Sequence, residues 1–400
     1  MGPGNVNFHP VPGVKMASLA CGIKSDSVHD LVMFEFATGS KTAAVFTRSL
    51  FAAAPVEVGR RHLQQVSPRY FLINSGNANA ATGEAGIADS LICCKTLSQL
   101  SGTRPEEIIP FSTGVIGERL PVRRITDSLN QILPLLAKNN WLQAARGIMT
   151  TDTRPKIASR QMEICGKTVT ITGIAKGAGM IQPNMATMLS YIATDVLMGQ
   201  HTLQAMLDNA VNKSFNRITV DSDTSTNDSC MLTATGVSGV VVEENADSGQ
   251  QFYNLLEELM IELAQGIIRD AEGATKFVEV RVINGERSKD CLNIAYAIAN
   301  SPLMKTAIFA SDANWGRIVM AIGKADVEIE VSKLDVYIGD VKLMLNGGRN
   351  PAYEESMGAD AMASEEITIT VDLKSGSAAE TIWTSDLSHE YVRINAEYRT

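Results

Sequence analysis

The sequence is poor in cysteine, histidine and aromatic residues, and these shortages exclude several classes of protein. Its six cysteines form no Cys-x-x-Cys pair and its five histidines show no metal-ligand spacing, so we predict no metal site. Adjacent Cys93 and Cys94 lie in an apolar, helix-like stretch, where free buried thiols are the usual state. The N-terminal residues lack the charged and apolar regions of a signal peptide. We therefore expect a reducing compartment and a cytoplasmic protein.

Long apolar runs and an excess of positive charge are also missing. No apolar run reaches the length of about 18 residues that a membrane-spanning helix needs, so we expect no membrane span. The net charge of −9 argues against nonspecific nucleic-acid binding, which requires a basic face. What remains, 45% apolar and 20% charged residues, is typical of a soluble globular protein with a substantial core.

Apolar periodicity predicts strands and helices in mixed order along the chain. The strongest helical pattern covers 248–270, where apolar residues form one stripe, and Gly273 follows as the expected stop. A second helix is predicted at 84–100, and an alternating strand at 167–174. The mixed order of these elements predicts an α+β fold with layered packing.

Two local features predict specific connections. The β-like runs 31–36 and 41–47 flank the short segment 37–40, which is typical of a hairpin loop. Near the C-terminus, Ser385 or Asp386 is the predicted cap of the last helix.

The stretch KGAGMIQPNMATML, residues 176–189, lies close to the middle of the chain and combines turn residues with the start of an apolar strand. If the backbone is bent there, the Thr187 hydroxyl can attack the carbonyl of Ala186, and water can then hydrolyse the resulting ester. Thr187 would be left with a free α-amine, whose pKa of about 7.7–8.0 suits it to activate its own hydroxyl. The same pattern is also typical of an ordinary turn that leads into a buried strand.

This stretch resembles the cleavage motif of the ornithine acetyltransferase family, the glutamate N-acetyltransferases of arginine biosynthesis. Other stretches that resemble the family occur in the same order along nearly the whole chain: 74–83, 112–117, 149–156, 215–221, 269–276, 311–317 and 394–398. The resemblance implies a sandwich of two β-sheets flanked by helices, with a self-cleaving, N-terminal-nucleophile-like architecture. It also implies an alpha chain, 1–186, and a beta chain, 187–400, that stay packed together and form a heterotetramer of two alpha and two beta chains.

The resemblance also assigns site residues. Thr113 and Gly114 match the pair that forms the oxyanion hole, and Thr187 matches the nucleophile. The substrate contacts match six positions: Thr150, Lys176, Thr187, Glu272, Asn395 and Thr400. From the residues alone, Lys176 also fits a solvated surface lysine, and Thr113 with Gly114 also fits a simple strand-to-loop turn. Arg399 departs from the family pattern, where a small hydroxyl residue is expected.

The implied reaction moves an acetyl group from N-acetylornithine to glutamate through an acetyl-Thr187 ester, in two half-reactions at one nucleophile. No cofactor is expected, because the nucleophile and its base come from the chain; no adenine- or pyrophosphate-binding motif decides whether acetyl-CoA is also a donor. Two alternatives remain open. One is a self-cleaving amidohydrolase or aminopeptidase of similar fold, and the other is an uncleaved, inactive relative.

Overall fold

The computed structural model describes residues 8–182 and 188–397. These residues form two compact units. Unit 1 consists of the described parts of 1–177, 183–216 and 224–267, and unit 2 consists of 178–182, 217–223 and the described part of 268–400. In neither described range is any helix long and apolar enough to cross a membrane.

The strands and helices follow one another in mixed order, as the sequence predicts. In chain order the strands are β1 (Val14–Leu19), β2 (Leu31–Phe36), β3 (Lys41–Phe46), β4 (Tyr70–Asn77), β5 (Ile108–Val115), β6 (Lys156–Ile164), β7 (Lys167–Lys176), β8 (Leu189–Thr194), β9 (Leu197–Met198), β10 (Ile218–Thr219), β11 (Ser229–Ala234), β12 (Val241–Val242), β13 (Phe277–Gly285), β14 (Asp335–Ile338), β15 (Val341–Leu345), β16 (Gly348–Arg349), β17 (Glu366–Asp372) and β18 (Ala378–Ser385). The helices are α1 (Ala54–Leu63), α2 (Gly83–Ser101), α3 (Val122–Ile132), α4 (Trp141–Gly147), α5 (Gln200–Lys213), α6 (Asp247–Ile268), α7 (Ser288–Ala299), α8 (Pro302–Phe309), α9 (Trp315–Gly323), α10 (Glu355–Met362) and α11 (His389–Ala396).

Unit 1 contains two main sheets within its described residues. Sheet 1 has the strand order β1-β2-β4-β5, in which β4 and β5 are parallel and the other neighbours antiparallel. Sheet 2 has the order β3-β11-β8-β7-β6, in which β11 and β8 are parallel. A short parallel pair, β9 with β12, accompanies them.

Sheets 1 and 2 pack face to face through a core of aromatic and aliphatic side chains. Phe34 and Phe71 of sheet 1 meet Tyr191 of sheet 2 with ring centroids 5.6 and 5.8 Å apart, which is the usual separation of packed aromatic rings. Helices α2 and α3 cover the outer face of sheet 1. Leu259 and Leu263 of α6 cover the outer face of sheet 2. Unit 1 therefore has the predicted arrangement, two sheets flanked by helices.

Unit 2 is built on sheet 3, whose strand order is β10-β18-β13-β17-β14-β15-β16. Alternate residues of β13 and β17 are buried, as expected for strands with one face on the core. Helices α7 and α9 pack their apolar residues into the same cluster as these strands. Unit 2 is thus a sheet with helices on its buried face.

The predicted helix at 248–270 is confirmed as α6, which ends at Ile268. Its apolar stripe is buried throughout: Phe252, Leu256, Leu259, Leu263 and Ile267. Gly273 has a left-handed φ of 67°, and a Cβ there would lie 2.6 Å from the backbone nitrogen of Tyr391. The glycine therefore serves a close approach beyond the helix end.

The predicted hairpin at 31–47 is wrong, although both strands exist. β2 pairs with β1 and β4 in sheet 1, whereas β3 pairs with β11 in sheet 2. The intervening turn is closed by a hydrogen bond from the Ser40 backbone N–H to the Ala37 carbonyl. It carries the chain from one sheet to the other, because each strand finds its partner far away in the sequence.

The predicted cap of the last helix is also wrong. Ser385 ends β18, and α11 begins later, with the Ser388 hydroxyl accepting from the Tyr391 N–H. The Asp386 carboxylate instead accepts from the backbone N–H groups of Thr275 and Lys276 at 2.8 and 3.0 Å. Asp386 therefore fixes a tertiary turn rather than a helix terminus.

The proposed division at 186/187 does not coincide with the two units, and it remains a prediction about the covalent chain. Strand β8 lies between β7 and β11 in sheet 2. β7 belongs to the predicted alpha chain, and β8 and β11 to the beta chain. The two chains would therefore share the backbone hydrogen bonds of one sheet.

We expect Tyr191→Phe to increase the stability of the protein. The Tyr191 hydroxyl is buried and has no hydrogen-bond partner among the described residues, and an unsatisfied buried hydroxyl costs about 1–3 kcal/mol. Tyr70→Phe is the matched control, because the Tyr70 hydroxyl donates to Glu35 at 2.9 Å. Urea unfolding should give a higher free energy of unfolding for the first variant and a lower one for the second. A loss of stability in Tyr191→Phe would show that this hydroxyl is satisfied in solution.

Candidate active site

The ends of the parallel strands β4 and β5 approach each other too closely for any side chain. Gly76 is the register partner of Gly114, and the pairing becomes irregular at Asn77. Gly114 has a φ of 135°, and a Cβ there would lie 2.2 Å from the carbonyl carbon of Gly76. Glycine is therefore required at 114, because the backbones of the two strand ends approach each other closely.

The side chain of Thr113, directly before this glycine, lies next to a positively charged group. Thr113 is 8% exposed, and the Lys176 ammonium at the end of β7 donates to its Oγ1 at 3.3 Å. Three residues that the sequence predicts as functional, Thr113, Gly114 and Lys176, are thus brought together by β5 and β7. Here Lys176 is not merely a solvated surface lysine.

The buried carboxylate of Asp152 organises the backbone on both sides of this group. It accepts from the backbone N–H of Gly177 at 2.7 Å and from that of Thr150 at 2.9 Å. The Lys156 ammonium donates to it at 2.5 Å. Burial opposes the charge, but the ammonium groups of Lys156 and Lys176 hold the pKa of Asp152 below its usual value. Thr150, a predicted substrate contact, is therefore fixed through its backbone beside the exit from β7.

Lys24 is a half-buried cation in this part of unit 1, and no motif pointed to it. Its ammonium donates to the Met149 carbonyl at 2.5 Å, next to Thr150. Burial lowers the pKa of Lys24 to about 8; Asp30 opposes this shift and the charge of Lys176 adds to it. A lysine with this pKa changes charge near neutral pH.

Asp228 is the most unusual buried group of unit 1. It is 2% exposed, and its Oδ2 makes no hydrogen bond to the described residues. Burial raises its pKa well above the usual value, although the Ser225 hydroxyl and the charge of Lys176 oppose the shift. The next residue, Ser229, donates its backbone N–H to the Met188 carbonyl at 3.0 Å. A buried carboxyl group with a raised pKa therefore lies beside the chain that follows the predicted nucleophile.

The polar segment 221–228 combines a side chain that binds backbone groups with the buried carboxyl of Asp228. Asn227 does bind backbone: its Nδ2 donates to the carbonyls of Ala78 and Ser112 at 2.6 and 2.8 Å. The burial of Asp228 had no signal in the sequence, because an aspartate in a polar run is usually solvated.

In unit 2, Glu272 and Asn395 are brought together. The Asn395 amide donates to Glu272 Oε2 at 2.7 Å, and the Glu272 N–H donates to the Ala178 carbonyl at 2.9 Å. Glu272 is 8% exposed. A Cβ on Gly179 would lie 2.4 Å from the Glu272 carboxyl carbon. The glycine at 179 therefore makes room for a carboxylate, which the sequence could not indicate.

Three predicted site residues, Ala186, Thr187 and Thr400, lie outside the described residues. Asn314, in a stretch without an assigned role, accepts from the Arg317 N–H and caps α9. No group of three or more metal-ligating side chains occurs in the described part of the chain. The described part of the site thus consists of backbone groups, hydroxyls, ammonium groups and carboxylates.

Comparison with known proteins gives a consistent match over nearly the whole chain. The model of the ArgJ family matches residues 15–400. The arginine biosynthesis bifunctional protein ArgJ of Pseudomonas fluorescens is 51% identical over 397 residues, which cover 98% of each chain. That of Psychrobacter arcticus is 47% identical over 407 residues, with complete coverage of both. A crystal structure of the Bacillus halodurans protein of the same name is 35% identical and covers 51% of this chain and 96% of that chain, with a TM-score of 0.49.

We expect Asp228→Asn to remove a pH-dependent loss of stability. A carboxyl group with a raised folded-state pKa ionises first in the unfolded chain, so its contribution to stability falls as pH rises above about 3.9. For one such group, the free energy of unfolding changes with pH by at most about 1.4 kcal/mol per pH unit. The free energy of unfolding of the variant relative to the parent should therefore increase from pH 5 to pH 8. Urea titrations should be carried out in a Thr187→Ala background, so that each variant unfolds as one uncleaved chain.

Asp335→Asn is the matched control for this experiment. Burial opposes the charge of Asp335, but Lys342 and Lys374 hold its pKa below the usual value. The group is therefore ionised in both states above pH 5, and its replacement should shift stability by a constant amount from pH 5 to pH 8. If the free energy of unfolding of Asp228→Asn relative to the parent were also constant from pH 5 to pH 8, the Asp228 carboxyl would be ionised in the folded protein.

Proposed function

This chain belongs to the ArgJ family, and from that premise we propose that it transfers the acetyl group of N-acetylornithine to glutamate, giving ornithine and N-acetylglutamate in arginine biosynthesis. The observation that carries the proposal is the contact of the Lys176 ammonium with the Thr113 hydroxyl, beside Gly114 at the end of β5. Transfer of an acyl group passes through a tetrahedral oxyanion, which requires donors of this kind.

The charge of Lys176 sets the direction of the Thr113 hydroxyl. An ammonium group can only donate hydrogen bonds, so Thr113 Oγ1 must accept from it. The O–H of Thr113 is then available to a second acceptor, and the nearby positive charge strengthens it as a donor. We infer that this acceptor is the oxyanion of the acetyl group, with the Gly114 N–H as the second donor.

In the proposed first half-reaction, the α-amine of Thr187 takes the proton of the Thr187 hydroxyl, which attacks the acetyl carbonyl. Ornithine leaves with that proton on its nitrogen, and the acetyl group remains on Thr187 as an ester. In the second half-reaction, the amine of glutamate attacks the ester and regenerates the hydroxyl. The nucleophile and the base come from one residue, so we propose that no bound cofactor is required.

Glu272 is the group proposed to recognise the side-chain ammonium of ornithine. Its carboxylate is oriented by the Asn395 amide at 2.7 Å and lies against Gly179. An oriented, largely buried carboxylate is a strong acceptor for an ammonium group. The charge of Lys176 suits the α-carboxylate that both N-acetylornithine and glutamate carry. Thr150 and Thr400 remain proposed substrate contacts.

Self-cleavage between Ala186 and Thr187 is part of the proposal, because it creates the α-amine. The alpha chain 1–186 and the beta chain 187–400 would remain associated through the pairing of β7 with β8. We further propose a heterotetramer of two such pairs, acting in the cytoplasm. The relatives above are named bifunctional, and this supports acetyl-CoA as a second acetyl donor.

We expect purified protein to run as two fragments on a denaturing gel, and Thr187→Ala to run as one band near 43 kDa without activity. Incubation with N-acetylornithine alone should add one acetyl group to the fragment that begins at Thr187, as measured by mass spectrometry. Release of acetate without glutamate would instead indicate a hydrolase. Normal transfer by an uncleaved chain would disprove the proposed mechanism.

We expect Thr113→Val to lower kcat by about 10²–10³ with a small effect on KM, because one oxyanion donor is lost. Steady-state kinetics with N-acetylornithine and glutamate would measure the change, corrected for the fraction of cleaved enzyme. Thr42→Val is the control, because Thr42 is also buried and its hydroxyl is hydrogen-bonded to that of Thr233 at 2.9 Å, away from the proposed oxyanion donors. A kcat for Thr113→Val equal to that of the control would exclude the hydroxyl from the oxyanion site.

A further inference from the structure

The segment just before the predicted cleavage site is held by one carboxylate of unit 2. Both oxygens of Asp221 accept from successive backbone N–H groups: Oδ2 from Met180 at 2.7 Å and Oδ1 from Ile181 at 2.8 Å. Asp221 ends the stretch 215–221, which resembles the family but contains no predicted site residue. Such paired, charge-assisted hydrogen bonds are among the stronger ones in proteins.

Backbone and side-chain hydrogen bonds extend this arrangement to Gln182. The Val220 N–H donates to the Ile181 carbonyl at 2.6 Å, and the Gln182 N–H donates to the Asp223 carbonyl at 2.9 Å. The Gln182 side-chain oxygen accepts from the Asn300 amide at 2.7 Å. The chain is therefore fixed through Gln182, four residues before Ala186 in the sequence.

The conformation held in this way is an uncommon one. Met180 has a φ of 54°, in the left-handed region that non-glycine residues rarely adopt. Such a conformation persists only where the surroundings impose it. The contact of its N–H with Asp221 is the constraint that the structure shows at this residue.

Asp221 is in turn positioned by the C-terminal helix. The Tyr391 hydroxyl on α11 donates to Asp221 Oδ2 at 3.0 Å. Burial and the neighbouring Asp221 carboxylate raise the pKa of Tyr391 above its usual value, so the hydroxyl stays a donor. The α11 N-terminus is itself fixed, because the Ser388 hydroxyl donates to the Gly273 carbonyl at 2.6 Å.

We propose that Asp221 is a positioning residue for self-cleavage: by fixing Met180 and Ile181, it directs the chain into the bent peptide that the reaction between Ala186 and Thr187 requires. The inference rests on the proposed function. In the step it assists, the Thr187 oxygen bonds to the Ala186 carbonyl carbon and the C–N bond breaks. The hydroxyl proton passes to the nitrogen, which becomes the α-amine, and water then hydrolyses the ester.

The test follows cleavage of the full chain over time on denaturing gels, for the parent and for Asp221→Asn. An asparagine offers one acceptor oxygen, and its NH₂ group would face a backbone N–H donor, so the paired contact is lost. We expect cleavage at least about tenfold slower, while the cleaved fraction keeps a kcat within about twofold of the parent. Tyr391→Phe retains the carboxylate and should slow cleavage by about two- to threefold.

Two matched variants separate positioning from general loss of stability. Asp335→Asn removes a different carboxylate of unit 2, which is buried and also accepts from a backbone N–H, that of Asn346 at 2.8 Å. Tyr353→Phe removes a hydroxyl that donates to Glu355 at 3.1 Å. Both controls should cleave at the parent rate, even where thermal unfolding shows that they lose as much stability as Asp221→Asn or Tyr391→Phe.

Hydroxylamine identifies the step that is slowed, because it attacks the ester but not the amide. If Asp221 assists formation of the ester, the uncleaved Asp221→Asn chain should persist in hydroxylamine. Rapid cleavage on its addition would mean that the ester forms without Asp221, and would overturn the inference. Parent-like cleavage of Asp221→Asn, or equal slowing in Asp335→Asn, would also overturn it while leaving the proposed function intact. An uncleaved parent chain would overturn the proposed function, and this inference with it.

Discussion

The buried carboxylate of Asp152 is the interaction on which the described active-site residues of unit 1 depend. It holds the backbone of Gly177 and Thr150 and lies within the fields of two ammonium groups, those of Lys156 and Lys176. Burying positive charge without such a partner is costly. Because the carboxylate is present, Lys176 can leave β7 toward Thr113 and polarise its hydroxyl. The proposed oxyanion site therefore depends on the charge of Asp152, which is not itself one of the proposed oxyanion donors.

The local parts of the fold could be predicted from the sequence, and its long-range pairings could not. The helix α6, with its buried apolar stripe, and the strand β7 could be predicted from side-chain periodicity, which is a local property. β2 and β3 also show strand patterns, yet β3 pairs with β11, where Phe46 is the partner of Ser229. Nothing in the residues around 37–40 specifies that partner, because the choice depends on burial of the whole sheet.

The same difference between local patterns and long-range contacts applies to the candidate site. Thr113, Gly114, Lys176, Glu272 and Asn395 belong to motifs that could be recognised, and the structure gives each a specific contact. Asp221 and Lys24 make hydrogen bonds to residues far away in the sequence, and Asp228 is distinguished by its burial. A carboxylate that binds the amides of Met180 and Ile181 has the same sequence signature as a solvated loop aspartate. Only the fold distinguishes the two.

The hydrogen bonds on either side of 183–187 explain how a cleaved chain could keep its nucleophile in place. Before this segment, the backbone of 180–182 is held by residues 220–223. After it, Met188 accepts from Ser229, and β8 is paired with β7 on one side and β11 on the other. Neither set of contacts includes the bond between Ala186 and Thr187. Its loss would therefore leave β8, which follows the proposed nucleophile in the sequence, bonded along both edges. The contacts through Gln182 would serve the proposed cleavage, and those from Met188 onward would persist after it.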